Sequence, residues 1–175
     1  MRRFSSPRVR IALGVAIVLL ITILAVRYAP PEGESNNASG DSPLGTPTIV
    51  VTNQLDSIAI NRDIEFKGVH IAIKDATLAA KFSDDHKRNG NYTLRVEVNA
   101  INQGNSVLGI DYASLVYLVM LDGKKVPTKL ISIKADALPG QLQRGFFDFA
   151  LSTPAPLSDL KVHFEGGPVV PLRAA

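Results

Sequence analysis

From Thr48 onward, apolar residues recur with a period of two. The clearest stretch is Tyr92 to Ala100, where Tyr92, Leu94, Val96, Val98 and Ala100 alternate with Thr93, Arg95, Glu97 and Asn99. Successive side chains of a strand point to opposite faces, so this alternation predicts a strand with one apolar and one wet face. Phe147, Phe149 and Leu151 alternate in the same way with Phe146 and Asp148, and Leu160, Val162 and Phe164 with Lys161, His163 and Glu165. Ile64 and Phe66, then Val69, Ile71 and Ile73, predict two short strands joined through Lys67-Gly68. The run Leu115 to Leu121 is evenly apolar, as in a central strand covered on both faces, and Asp122-Gly123 turns it into Lys124 to Leu130. Asn102-Gln103-Gly104-Asn105 and Leu138-Pro139-Gly140-Gln141 read as further turns. Helical periodicity is weak throughout; Asp75 to Phe82 admits one short helical turn. Short strands with turn punctuation predict an all-β, antiparallel sandwich of about seven to eight strands over residues 48–175.

Upstream the pattern is different. Ile11 to Val26 carries no charge, and residues 11–28 approach the roughly 20 positions that cross a hydrocarbon core. A helix packed by one side on the core of a small soluble domain would show a polar face, and this stretch has none. Four arginines lie in the flank 1–10 and only Arg27 follows the span, so the positive-inside bias predicts a cytoplasmic N-terminus and an extracytoplasmic C-terminal domain. Signal-peptide cleavage needs small residues at the −3 and −1 positions; a cut after Ala25 would put Ile23 at −3. The expectation is therefore an uncleaved, single-pass signal anchor, with a secreted domain as the outcome if the segment is cut. Residues 29–47, rich in Pro, Gly, Ser and Asn, read as a disordered tether.

Separating these parts changes the meaning of the charge. The sequence pI near 9.3 invites a nucleic-acid reading. Yet five of the 19 Lys and Arg residues precede Tyr28, while all 16 Asp and Glu residues follow it, leaving 14 basic against 16 acidic residues and a net charge of −2. The folded part is mildly acidic, and no nucleic-acid partner is expected. Lys124, Lys125, Lys129 and Lys134 form a modest basic series, of the kind that guards an edge strand. Cysteine is absent, which excludes disulfides, thiolate metal ligands and a lipidated cysteine anchor.

The pieces also have a characteristic order: Val69 to Ile73, Tyr92 to Ala100, Asn102-Gln103-Gly104, Leu115 to Leu121 with Asp122-Gly123-Lys124-Lys125, Leu138 to Gln141, Arg144 to Phe149, and Leu160 to Phe164. This order resembles the immunoglobulin-like domain of uncharacterised bacterial lipoproteins and secreted antigens, over roughly Asp63 to Leu172. The resemblance implies an immunoglobulin-like β-sandwich and an extracytoplasmic address, and carries no catalytic residues. The chain departs from the lipoprotein pattern in having a transmembrane segment where those proteins have a lipidated cysteine.

Candidate chemistry is sparse. His70 and His163 alternate with apolar neighbours and read as residues of a solvated sheet face. No Gly-x-Ser-x-Gly elbow accompanies them. Asp84, Asp85 and His86 cluster, but adjacent residues seldom converge on one ion and Lys87-Arg88 opposes it, so FSDDHKRNGN reads as a solvated charged loop. No catalytic, cofactor-binding or metal residue is assigned and no cofactor is expected. Gly104, Gly109, Gly123, Gly140 and Gly145 read as turn glycines rather than a phosphate cradle. The expected function is a non-catalytic interaction or envelope module, meeting the membrane through residues 11–28 and a protein or envelope partner through loops 81–91 and 103–112. The alternative is an extracytoplasmic accessory domain that binds a small ligand or metal ion.

Overall fold

The computed structural model describes residues 48–85 and 90–174. The segments expected from sequence to be a cytoplasmic flank (1–10), a signal anchor (11–28) and a tether (29–47), together with His86, lie outside the described residues. Among the described residues no helix is long and apolar enough to cross a membrane.

Among the described residues ten strands follow in chain order: β1 (Val51–Phe66), β2 (Val69–Phe82), β3 (Tyr92–Asn102), β4 (Leu108–Gly109), β5 (Val116–Val119), β6 (Lys125–Ile131), β7 (Asp136–Ala137), β8 (Leu142–Leu151), β9 (Lys161–Phe164) and β10 (Val169–Pro171). A four-residue helix α1 (Tyr112–Leu115) leads into β5, and a 3₁₀ turn at Leu157–Asp159 precedes β9. Eight strands make one sheet in the order β1-β2-β3-β8-β6-β5-β9-β10, while β4 and β7 pair separately. Every pairing between named strands is antiparallel.

The sheet curls over its apolar face. Phe66 at the end of β1 and Phe164 at the end of β9 are far apart in strand order, yet their ring centroids are 5.2 Å apart. Phe147 on β8 meets Phe164 edge-on at 6.2 Å and Tyr112 at 5.6 Å, so the aromatic rings bridge the two halves of the curl. Leu94, Val96, Phe149, Leu160 and Val162 fill the space between them without solvent exposure. Gly167 is required by close approach: a Cβ there would meet Phe66 Cδ2 at 2.7 Å.

The alternating segments form the expected strands, but of the evenly apolar run Leu115 to Leu121 only Val116–Val119 is strand, lying between β6 and β9, because Leu115 ends the short helix and Met120 and Leu121 enter the hairpin turn, where Leu121 is exposed. The first hairpin differs from expectation. Its two strands are long, 16 and 14 residues, joined by Lys67 and Gly68, both with positive φ as a tight hairpin turn requires. Asp75 to Phe82 is not helical. It continues β2, paired on both sides by β1 and β3, and these tertiary ladders with buried Ala76, Leu78, Ala79 and Phe82 override the local preference of an alanine-rich segment. Gly145 is not a turn residue but lies within β8, where a Cβ would meet Ser132 Oγ at 2.6 Å. The edge strand β1 is twice irregular in register, between Gln54 and Asp56 and between Ala59 and Arg62, with Asn53 and Asn61 at positive φ beside these bulges.

The registers define two ends of the domain. At the proximal end, where residues 48–51 join the fold, Val51 faces Phe82, Tyr92 faces Leu151, Val119 faces both Lys125 and Lys161, and Pro171 faces Lys161. At the distal end lie the Lys67-Gly68 turn, the segment after Asn102, and the β4–β7 pair.

Candidate functional site

At the proximal end, five charged side chains converge on the outer face of the sheet. Arg95 on β3 lies directly opposite Asp148 on β8. Its Nε and Nη2 donate to the two Asp148 oxygens at 2.8 Å each, and its Nη1 and Nη2 donate to the Asp84 oxygens at 2.9 Å each. The guanidinium carbon sits 3.5 Å from the Phe146 ring centroid and 4.2 Å from that of Phe82, so the cation is sandwiched between aromatic faces. Arg95 and Asp148 are almost wholly buried, at 1% and 0% exposure. Lys129 occupies the β6 bulge between Thr128 and Leu130, and its Nζ donates to Thr93 Oγ1 at 2.7 Å and to Asp85 Oδ2. Thr93 Oγ1 in turn donates to Asp85 Oδ2 at 3.0 Å.

Several expected surface features are therefore interior ones. Thr93, Arg95 and Asp148 occupy the face that alternation marks as wet, but Ser83 to Asp85 fold back over it. Asp84 and Asp85 belong to this cluster rather than to a solvated loop, and Lys129 is not part of an exposed basic series. Burial pushes the Asp148 carboxyl up while the Arg95 guanidinium pulls it down, and burial prevails. Burial disfavours the Arg95 charge, but its hydrogen bonds to Asp148 and Asp84 outweigh this and hold it above its ordinary value. The arrangement fastens a loop. Most of its donors are already spent on carboxylates, which leaves little to polarise a substrate.

Farther along the same face, Asp75 and Glu97 are direct cross-strand partners. Burial raises both carboxyls, and Asp75 adds to the rise at Glu97. His70 on β2 meets Glu65 of β1, Nδ1 to Oε1 at 2.7 Å. His163 on β9 faces Tyr117 on β5, whose hydroxyl lies 2.8 Å from His163 Nδ1. Among the described residues no group of three or more His, Asp or Glu side chains is arranged to hold a metal.

The distal end is organised by a neutral residue. Asn102, wholly buried at the end of β3, donates through Nδ2 to the carbonyls of Ser106 at 2.7 Å and Ala137 at 2.8 Å. Its Oδ1 accepts from Gly104 N at 2.9 Å, and its backbone carbonyl accepts from Gly140 N at 2.8 Å. Both turns expected from sequence thus hang on one residue, through its side chain and its backbone carbonyl. Leu108 pairs with Ala137, which sets Val107 beside Leu138. Val107 is 56% exposed, Leu138 44% and the nearby Leu142 48%. Of the two loops expected to meet a partner, 103–112 is distal, whereas Lys81 and Phe82 end β2 at the proximal end and Ser83 to Asp85 lie on the sheet face.

No family model matches the chain, and no curated protein matches it. Among solved structures it is similar to a functionally unknown protein from Listeria monocytogenes EGD-e, with a TM-score of 0.52 and 13% identity over 73% of this chain and 89% of that one. It is also similar to a conserved hypothetical protein from Bacillus anthracis, with a TM-score of 0.49 and 13% identity over 67% of this chain and 96% of that one. The Listeria likeness defines the class as an all-β antiparallel fold found in a bacterial protein, and shows the fold alone.

Proposed function

We propose that this is a membrane-anchored, extracytoplasmic β-sandwich module of immunoglobulin-like type, non-catalytic, that mediates a protein or envelope interaction through loop 103–112. The observation that carries the reading is the exposure of three apolar side chains at the distal end, Val107, Leu138 and Leu142, next to turns that the buried Asn102 ties by hydrogen bonds. Exposed apolar side chains on an ordered loop are suited to recognition, because little ordering entropy opposes contact. The basic flank and the apolar run at 11–28 support the anchor and its orientation. Loop 81–91 is the weaker candidate, since Asp84 and Asp85 turn toward Arg95 and Lys129.

The test is a photo-crosslinking side chain at Val107 of the full chain on intact cells. A captured partner that disappears with Leu138→Asp supports the reading. Equal capture from the proximal residue Gln54 refutes the loop, and a domain protected from added protease until lysis refutes the outside address.

A small-ligand accessory role has one observation in its favour. Met120, Leu121, Pro154, Ala155, Pro156 and Leu160, with Asp122 and Asp159, line a proximal groove of about 410 Å³. A rise in melting temperature with soluble apolar compounds would promote this reading above the first.

A further inference from the structure

Resting on the distal reading above, we infer that the site takes an extended peptide with an acidic side chain two positions from an apolar one, and that the notch where β6 leaves β8 receives the carboxylate. The ladder between these strands ends at Ile131 and Phe147. Ser132 still holds Phe146, its N donating to Phe146 O at 3.2 Å and its Oγ accepting from Phe146 N at 2.8 Å. The chain then passes over Gly145, whose missing Cβ leaves room for Ser132 and Ile133, and Lys134 N donates to the Gln143 side chain instead of to β8 backbone. In an antiparallel ladder the backbone groups of residues i and i+2 turn to the same side. Phe146 turns its N–H and C=O toward Ser132, so Arg144 turns its own toward the space that β6 has vacated. A short stretch of β8 edge is thus open within the sheet.

The occupant follows from what lines this notch of about 180 Å³. Lys134 and Arg144 line it, both exposed, and among the described residues neither forms an ion pair. No carboxylate lines it; Asp136, the nearest in sequence, is exposed outside it. Glu97 is diagonal to Arg144 across the β3–β8 pair, but the charges that act on it are Asp75, Arg95 and Asp84. The Gln143 amide is spent on Lys134 N and Asp136 O. The donors left for a ligand are therefore the two cations and the Ser132 hydroxyl hydrogen, a set that suits an oxyanion. Leu142 lines the same notch and shares a strand face with Arg144 two positions on, while the exposed Leu138 adjoins it through the Gln141 N to Leu138 O bond. An extended peptide uses all of this: its backbone pairs with the open edge, an apolar side chain covers the leucines, and an acidic one on the same face reaches the cations. A polyol phosphate polymer would use the cations alone.

The probe is a fluorescein-labelled peptide repeating leucine, threonine, glutamate and threonine, titrated with the full chain in detergent and read by anisotropy. A second peptide has glutamine for every glutamate. The expected result is saturable binding of the first, several-fold weaker for the glutamine peptide and for Arg144→Gln and Lys134→Gln, and unchanged for Lys124→Gln at the proximal end. Arg144 and Lys134 are exposed and outside any ion pair, so melting curves of their variants should match the parent. Equal binding of both peptides, or by both distal variants and the parent, overturns the carboxylate notch; loss of that binding in Leu138→Asp then leaves the distal reading standing. No peptide binding while the crosslinker at Val107 captures a partner overturns the peptide class alone, and failure of both removes the reading and the inference together. Binding of poly(glycerol phosphate) in place of the peptide, with the same dependence on Arg144, makes the occupant an envelope polyanion and overturns the peptide.

Discussion

The two ends of the sheet are fastened by different physics. At the proximal end a charged residue, Arg95, clasps Asp84 from the loop and Asp148 from the neighbouring strand between two aromatic rings. At the distal end a neutral one, Asn102, ties two turns through an amide whose donors and acceptor all go to backbone groups. A buried ion pair gains most of its value from being complete, since removing one partner strands the other charge in a poorly solvated place. An amide node fails more gently. The difference implies that the proximal loop is held all-or-none, whereas the distal turns loosen by degrees.

The largest effect is expected from Asp148→Ala, which leaves Arg95 with one carboxylate and should cost about 3–5 kcal/mol in denaturant unfolding. Hydrogen exchange should then accelerate at Ser83 to Asp85 and not at Gly104. Asn102→Ala should cost about 1–3 kcal/mol, with the pattern reversed. If either variant loosens both ends, the two fastenings are coupled and the contrast breaks. Tyr117→Phe, which removes the hydrogen bond to His163 on strands between the ends, should cost about 1 kcal/mol and leave exchange in both loops unchanged.

The smallest effect has the opposite sign. Asp75 and Glu97 carry raised carboxyls, so the native state keeps protons that the unfolded chain releases. Their contribution to stability is complete below the ordinary carboxylate range near pH 4 and is lost as pH rises through the raised native values. Glu97→Gln should therefore stabilise the domain at pH 7 by about 0.5 kcal/mol, the usual scale for relieving a cross-strand like-charge pair. That gain should vanish near pH 4 in paired melting curves.

These particulars also mark what the residues disclose before folding. The strands around Leu94, Phe147 and Val162 are legible because burial on one face imposes alternation. The first half of β1 is not, because Val51 to Ser57 is exposed on both faces and nothing selects a pattern there. Alternation assigned Arg95 and Asp148 to the wet face correctly as a matter of side, but a period of two does not say what lies over that side. The signal that was available is chemical: a lone arginine and a lone aspartate on strands otherwise rich in Phe, Leu and Val need partners if covered, and Asp84-Asp85 supplies carboxylates nearby in sequence. For the distal site, Val107 and Leu138 lie 31 positions apart. Only the β4–β7 pairing brings them together.

The two edges of the curled sheet have a consequence for crowding. β10 ends in Pro171, which has no N–H to offer a further strand, and β1 is bent at Asn53 and Asn61 with its register broken beside each. Copies packed side by side at high density thus present no long, straight ladder from which a fibril could grow. The long first hairpin thus has an outer edge whose regularity is broken twice.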